Sequence, residues 1–186
     1  YREDSARGLR AFLLADAENT GKRRNILSVP PFYSAEPEFL EELLKKREIP
    51  AEDIDNILEF AHSQRELAEK ILKNGGITDE IPIISREEFE RHPTVLPLSG
   101  MFYGKDICLT YDEYSEHIRQ TERFMQTHEN YIAEFTKANA FRNLQILIHE
   151  GQWAMISKGN APAIHFVIHH PKLRSAIENF IPPVVE

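Results

Sequence analysis

The sequence predicts an α/β (α+β) fold, a mixed sheet of short strands with helical layers. Two observations support this fold class. Over the first two thirds of the chain, short apolar runs alternate with segments of helical periodicity, which is typical of a sheet with parallel members. From Tyr131 the period changes from that of a helix to that of a strand, which predicts an antiparallel three-strand meander followed by a C-terminal helix. The 186 residues contain no long linker and are expected to form a single domain, 1–186.

The first two elements lie on either side of a basic run. Leu9 and Phe12 mark one face of an opening helix, and Gly21 is placed to end it. After Lys22-Arg23-Arg24, residues 25–29 form a short, largely apolar run that ends at two prolines. This run predicts a fully buried strand.

Two helices and a second strand follow. Pro37 opens a helix whose apolar residues lie at positions 39, 40, 43 and 44. After Pro50 a longer helical pattern runs for about five turns, until Gly75-Gly76 ends it. Residues 81–84 then predict a short strand.

Two capping boxes mark the next helices. Ser85 with Glu88 begins a brief helix, and Thr110 with Glu113 begins a longer one. Between them lie a proline- and glycine-rich loop and a short strand at residues 107–109.

The C-terminal third predicts three antiparallel strands. Residues 144–148 alternate between two faces, and Glu150-Gly151 predicts a two-residue hairpin turn. The return strand runs to about Lys158, and residues 163–169 form the third strand. Pro171 suits the first turn of the closing helix.

Composition excludes several classes of protein. The chain has 22 basic and 30 acidic residues, a formal net charge of −8, which is not the electrostatic footprint of a nucleic-acid-binding domain. A single cysteine excludes an intrachain disulfide framework, and no apolar run is long enough to span a membrane. The chain opens at Tyr1 without a visible signal peptide, so we expect a piece of a longer cytoplasmic protein.

The histidines do not predict a metal site. Four of the eight lie in the last third, but His165 and His169 would stand roughly 13 Å apart on one strand. Ligand bonds of about 2 Å cannot bridge that gap. We expect these histidines, His149 included, to lie at the surface or at the start of a helix, and we expect no metal and no cofactor.

No catalytic motif is visible either. Cys108 lies between two apolar residues, so it is expected to be a buried thiol that behaves as a small hydrophobe. The sequence has no nucleophile elbow, no phosphate-binding loop and no dinucleotide-binding glycine motif. The chain is therefore not expected to be an enzyme.

The segment from Phe141 to Phe180 resembles the C-terminal end of a large group of helix-turn-helix transcriptional regulators of Firmicutes. The matching stretch is FRNLQILIHEGQWAMISKGNAPAIHFVIHHPKLRSAIENF. In that group the same order occurs: an I-x-I strand, a hairpin, a V/I-S-K strand, an I-H-F-V-I strand and an H-P-x-L helix. The resemblance implies an effector domain that follows a DNA-binding domain absent from this chain.

The strand-hairpin-strand-helix ending is also similar to half of a phospholipase-D-like fold. That family's chemistry needs His-x-Lys followed by Asp. His170-Pro171-Lys172 matches the first part, but no Asp follows it in the chain. An active phosphodiesterase of this kind is not expected.

The leading hypothesis is a non-catalytic sensor or dimerisation domain of a bacterial transcriptional regulator. Its expected partners are a small-molecule effector and a second copy, with no direct contact to nucleic acid or membrane. Because ligands bind at strand ends in such sheets, the candidate ligand contacts are Ser28, Tyr103, Lys158, Asn160 and His165.

Two alternatives remain open. The first is a hydrolase-like enzyme whose site is assembled from His117, His149, Lys158 and His165. The second is a pure protein–protein interaction module with an exposed apolar patch at residues 30–33 or 101–103.

Overall fold

The computed structural model describes residues 2–96, 104–137, 144–158 and 164–180, except for the side chains of residues 2–7. The chain packs into two compact units. The sheet unit comprises Tyr1–Ser28, Lys70–Ile83 and Glu129–Glu186, and the helical unit comprises Val29–Glu69 and Ile84–His128. Each unit has a hydrophobic cluster of its own. The single domain expected from the sequence stays a prediction.

The described strands are β1 Gly21–Ile26, β2 Gly75–Pro82, β3 Tyr131–Thr136, β4 Gln145–His149, β5 Trp153–Lys158 and β6 Ile164–Ile168. They form one mixed sheet in the order β3-β2-β1-β4-β5-β6. β1 pairs in parallel with β2, and β2 with β3, whereas β4, β5 and β6 form an antiparallel meander that is joined antiparallel to β1. The predicted mixed α/β class and its C-terminal meander are confirmed. The likeness to a phospholipase-D-like fold stays a prediction.

The described helices are α1 Arg2–Asp16, α2 Pro37–Lys46, α3 Ala51–Asn74, α4 Arg86–Arg91, α5 Tyr111–Thr127 and α6 Pro171–Phe180, with a short 3-10 helix at Phe32–Ser34. Both predicted N-terminal caps are present. The Thr110 hydroxyl accepts from the backbone N–H of Glu113, whose side chain accepts in return from the Thr110 N–H. The Ser85 hydroxyl accepts from the backbone N–H of Glu88.

The register gives the sheet two faces. On the first, the α6 face, Ile146, Ile148 and Ala154 form a buried cluster with Ile26 of β1 and Ile177 of α6. The second, the α1 face, carries the side chains of Arg23, His149 and Trp153, which lie opposite one another in neighbouring strands. Phe12 of α1 meets the Trp153 ring edge-on, with 5.1 Å between centroids.

The helical unit surrounds a separate core. Leu40, Leu43 and Leu44 of α2 pack there with apolar side chains of α3, α4 and α5. This is the apolar face that the sequence predicts for α2.

Three predictions about the strands need correction. β1 begins at Gly21 and not at residue 25, and it is not fully buried: of its six residues only Arg23 is buried. The reason is that Arg24 forms an ion pair with Glu80 of β2, so a basic segment is stabilised inside the sheet.

β2 likewise begins at Gly75 and not at residue 81. A Cβ at Gly75 would lie 1.9 Å from the Gly21 carbonyl oxygen, so the glycine permits a close approach of two strands.

The third correction concerns Cys108. The expected strand at residues 107–109 is only an isolated bridge between Val95 and Cys108. The Cys108 side chain is exposed. Side chains alternate between two sides along an extended segment, and Ile107 and Leu109 occupy the buried side.

Candidate functional site

A buried carboxylate links the last residue of α1 to three strands. Arg23 Nη2 donates to Asp16 Oδ2 at 3.0 Å, while His149 Nδ1 and Trp153 Nε1 each donate to Asp16 Oδ1 at 2.9 Å. Arg23 also donates to the backbone carbonyls of Asp16 and Gly21. We call Asp16, Arg23, His149 and Trp153 the Asp16 cluster.

The Asp16 carboxyl is ionised inside the protein. Burial acts to raise its pKa, but the hydrogen bonds from Trp153, His149 and Arg23 outweigh burial and hold the pKa below its usual value. Asp16 is only 7% exposed, so these charge-assisted bonds form away from solvent. The end of α1 is therefore fixed to β1, β4 and β5 by groups that are costly to leave unpaired.

His149 is not the surface histidine expected from the sequence. It is fully buried, and its two ring nitrogens face the Asp16 carboxylate and the Thr20 carbonyl, the latter at 3.1 Å. Both nitrogens contact protein atoms inside the fold, so neither faces a space where a substrate or a metal ion could bind. His149 therefore has a positioning role.

Gly21 provides the space for that ring. Its φ is +136°, and a Cβ built there would lie 2.6 Å from His149 Nε2. A side chain at position 21 would displace the imidazole from Asp16.

A groove of about 450 Å³ lies in the sheet unit, at the amino-terminal ends of β1, β2 and β3. Its polar lining includes Lys22, Thr78 and Asn130, and Gly75 and Gly76 form part of its floor. Arg23 of β1 borders the groove, but its side chain lies on the α1 face and belongs to the Asp16 cluster. β1 therefore separates the groove from the end of α1.

The groove contains charges of both signs. Arg24 is already neutralised by Glu80, at 3.2 Å. Among the described residues, Lys22, Glu129, Glu134 and Glu150 of the lining make no ion pair. The lining therefore has an excess of negative charge, which suits a small polar ligand with a cationic group.

The helical unit contains a second buried histidine, which lies near a serine. His117 Nε2 lies 3.3 Å from Ser34 Oγ and 3.0 Å from the Pro31 carbonyl oxygen. Burial lowers the pKa of His117 to about 4, so the ring is neutral at pH 7. A carbonyl oxygen accepts only, so the Nε2 proton points at Pro31 and Nε2 cannot take a proton from Ser34.

The candidate ligand residues are placed as follows. Ser28 lies just beyond the end of β1, Lys158 ends β5, and both are half-buried. β1 and β5 run in the same direction, so both residues lie at the carboxyl ends of their strands, on the same end of the sheet. They are about 10 Å apart, because β4 lies between the two strands. His165 Nδ1 lies 2.9 Å from Ser157 Oγ, and burial lowers the pKa of His165.

The groove lies at the opposite ends of these strands and includes none of those three residues. Tyr103 and Asn160 lie outside the described residues. The five ligand contacts stay a prediction.

Sequence reasoning missed the Asp16 cluster, although one signal points to it. Asp16 lies at the C-terminal end of α1, where the helix dipole disfavours a carboxylate. An aspartate in that position needs a compensating cation, and the basic run that contains Arg23 begins six residues later. The contributions of His149 and Trp153 depend on strand pairing over more than 130 residues, which no local pattern reveals.

Among the described ranges, no group of three His, Cys, Asp or Glu side chains is arranged to hold a metal ion. None of the described helices has both the length and the apolar character needed to cross a membrane. Comparison of the chain with protein-family models, with curated proteins and with solved structures gives no match.

Proposed function

We propose that this chain is a non-catalytic regulatory domain of a bacterial transcriptional regulator, which senses a ligand or dimerises and is coupled to a helix-turn-helix upstream. The resemblance of residues 141–180 to such regulators suggests the class. The observation that carries the proposal is the position of β1: it borders the groove, and on its other face Arg23 donates to Asp16 at the end of α1. Ligand binding that shifts β1 would change how Arg23 holds α1.

Direct DNA contact is not part of the proposal. Residues 47–50 join α2 to α3, a connection short enough for a helix-turn-helix. However, the first turn of α3 carries Glu52 and Asp53, at the position where a recognition helix meets DNA. Carboxylates there would face phosphates of the same charge.

The enzyme alternative has less support. Its four candidate residues do not line the described groove. His149 is buried with both ring nitrogens against protein groups, and the Nε2 of His117 donates to a carbonyl, so neither histidine faces a nucleophile that it could deprotonate. The surface named for an interaction module is also unsupported at residues 30–32, which are buried.

DNA binding tests the regulatory role. Binding of the intact gene product to its upstream promoter DNA is compared with that of this chain, at one fixed salt concentration because phosphate contacts depend on salt. We expect the intact product to bind and this chain not to bind. Binding by this chain, or no binding by the intact product, would overturn the proposal.

Thermal unfolding tests the groove. We expect spermidine or arginine to raise the Tm of this chain by a few degrees at saturating concentration, because a ligand that binds only the native state stabilises it. Citrate should not. Glu134→Gln, in the groove, should reduce the shift, whereas Glu122→Gln, an exposed residue of α5, should leave it unchanged. Equal shifts in both variants would contradict ligand binding at this site.

A further inference from the structure

We infer that β6 and α6 form the contact surface for a second copy of this chain, with β6 pairing antiparallel to β6 of the partner. β6 is the last strand in the sheet order and pairs, among the described residues, only with β5. An edge strand with unpaired N–H and C=O groups is a template for another strand. The inference deepens the dimerisation part of the proposed function.

The edge is apolar on both sides. Phe166 is 62% exposed and Ile164 41% on the α6 face, and Val167 is 38% exposed on the other face. On α6, the exposed side chains of Leu173 and Phe180 lie on the same helix face as Ile177, which packs on the α6 face of the sheet. Strand and helix therefore both leave apolar side chains exposed on the α6 side of the sheet.

The exposed area is sufficient for a dimer. If a fully exposed large side chain presents ~200 Å², these five side chains present about 500 Å² of apolar surface per copy. Two copies would bury about 1,000 Å² before any backbone is counted, which reaches the lower limit for a specific interface. A patch of this size is at the upper end of what a monomer exposes, and such patches are often functional.

The charge pattern selects a second copy as the partner. β6 contains no Asp, Glu, Lys, Arg or Pro, so self-pairing places no like charges opposite each other. Antiparallel pairing about Phe166 sets Ile164 against Ile168 of the other copy and the two Phe166 rings side by side across the twofold axis. The opposite edge, β3, contains Glu134, and antiparallel self-pairing about that residue would bring two carboxylates together.

The test is the oligomeric state of the chain, measured by sedimentation equilibrium over a range of micromolar concentrations. We expect a dimer. Phe166→Glu should raise the dissociation constant of this dimer at least tenfold, because two carboxylates would meet at the axis. Ile132→Glu is the matched control: Ile132 is 50% exposed on β3, and the dimer should persist in this variant. Circular dichroism establishes that both variants fold.

A cross-link tests the geometry without charge. In a Cys108→Ser background, Phe166→Cys should form an intermolecular disulfide under mild oxidation, since residues paired at the axis lie within disulfide distance. Ile132→Cys should not. A monomeric wild-type chain, or a dimer that Ile132→Glu breaks and Phe166→Glu does not, would overturn the inference. Neither measurement involves DNA, so the regulatory role and the dimer surface can fail separately.

Discussion

Two histidines, one in each unit, are almost equally buried but are held by partners of different chemistry. His149 lies in the sheet unit against the ionised Asp16 carboxylate, which also binds Arg23 and Trp153. His117 lies in the helical unit among neutral groups, the Pro31 carbonyl and the Ser34 hydroxyl. Burial alone therefore does not decide whether a histidine belongs to a charged or a neutral network. The neighbouring acceptor decides it, and the two units should respond differently to mutation and to pH.

The largest expected effect is the loss of the Asp16 carboxylate. Asp16→Asn leaves Arg23 buried without its counter-ion, so the free energy of unfolding should fall by about 3–5 kcal/mol. Urea unfolding at pH 7 measures this. Because the native pKa of Asp16 is lowered, its stabilisation is present above the unfolded pKa of about 3.9 and is lost as pH falls through the lower native value. The difference between the two proteins should therefore shrink only in strong acid.

Glu18→Gln is the control for this variant. Glu18 makes an exposed ion pair with Lys70 in the same unit, and such pairs contribute about 0–1 kcal/mol. If Asp16→Asn and Glu18→Gln cost the same, the Asp16 cluster does not hold α1 in place.

A smaller effect, of about 3 kcal/mol, is expected from the titration of His117. Its native pKa is about 4, below the unfolded value of about 6.5, so the unfolded state binds more protons between these pH values. Stability should be constant above pH ~6.5, fall as pH decreases and level off below pH ~4. His117→Gln should remove this fall in stability. If His117→Gln keeps the wild-type pH profile, the protonation of another group causes it.

The sequence was informative wherever structure depends on neighbours in the chain. The Thr110–Glu113 cap and the start of α2 at Pro37 follow from local chemistry and match the structure. The hairpin after β4 is where the sequence predicts it, but its connection has three residues, 150–152, and not two. β1 was misplaced because its basic residues are stabilised by Glu80 and Asp16, which lie far away or on another element. Long-range charge pairing overrides the expectation that a central strand is apolar.

The candidate site was less predictable for the same reason. The analogy with other sheets predicts ligand residues at strand ends and turns, whereas the groove lies at the amino ends of β1, β2 and β3, where Gly75 and Gly76 leave room. A cavity depends on what side chains leave empty. No spacing in the sequence reports that directly.

The smallest expected effect separates a structural serine from a nucleophile. Ser34 is 1% exposed, and its hydroxyl donates to the Pro31 carbonyl at 2.8 Å and contacts Thr121 Oγ1. Ser34→Ala removes one net hydrogen bond, so the free energy of unfolding should fall by about 1 kcal/mol. Ser28→Ala, at a half-buried serine beyond β1, should change it by less than about 0.5 kcal/mol.

The same pair of variants bears on chemistry. A substrate cannot reach a hydroxyl that is buried and has no base to take its proton, so neither variant should change the reactivity of the chain toward a fluorophosphonate probe. If the probe labels the wild-type chain, and Ser34→Ala abolishes this labelling while Ser28→Ala does not, then His117 Nε2 does not donate its proton to the Pro31 carbonyl. The neutral network around His117 would then have to open, and the contrast with the Asp16 cluster would be one of mobility as well as charge.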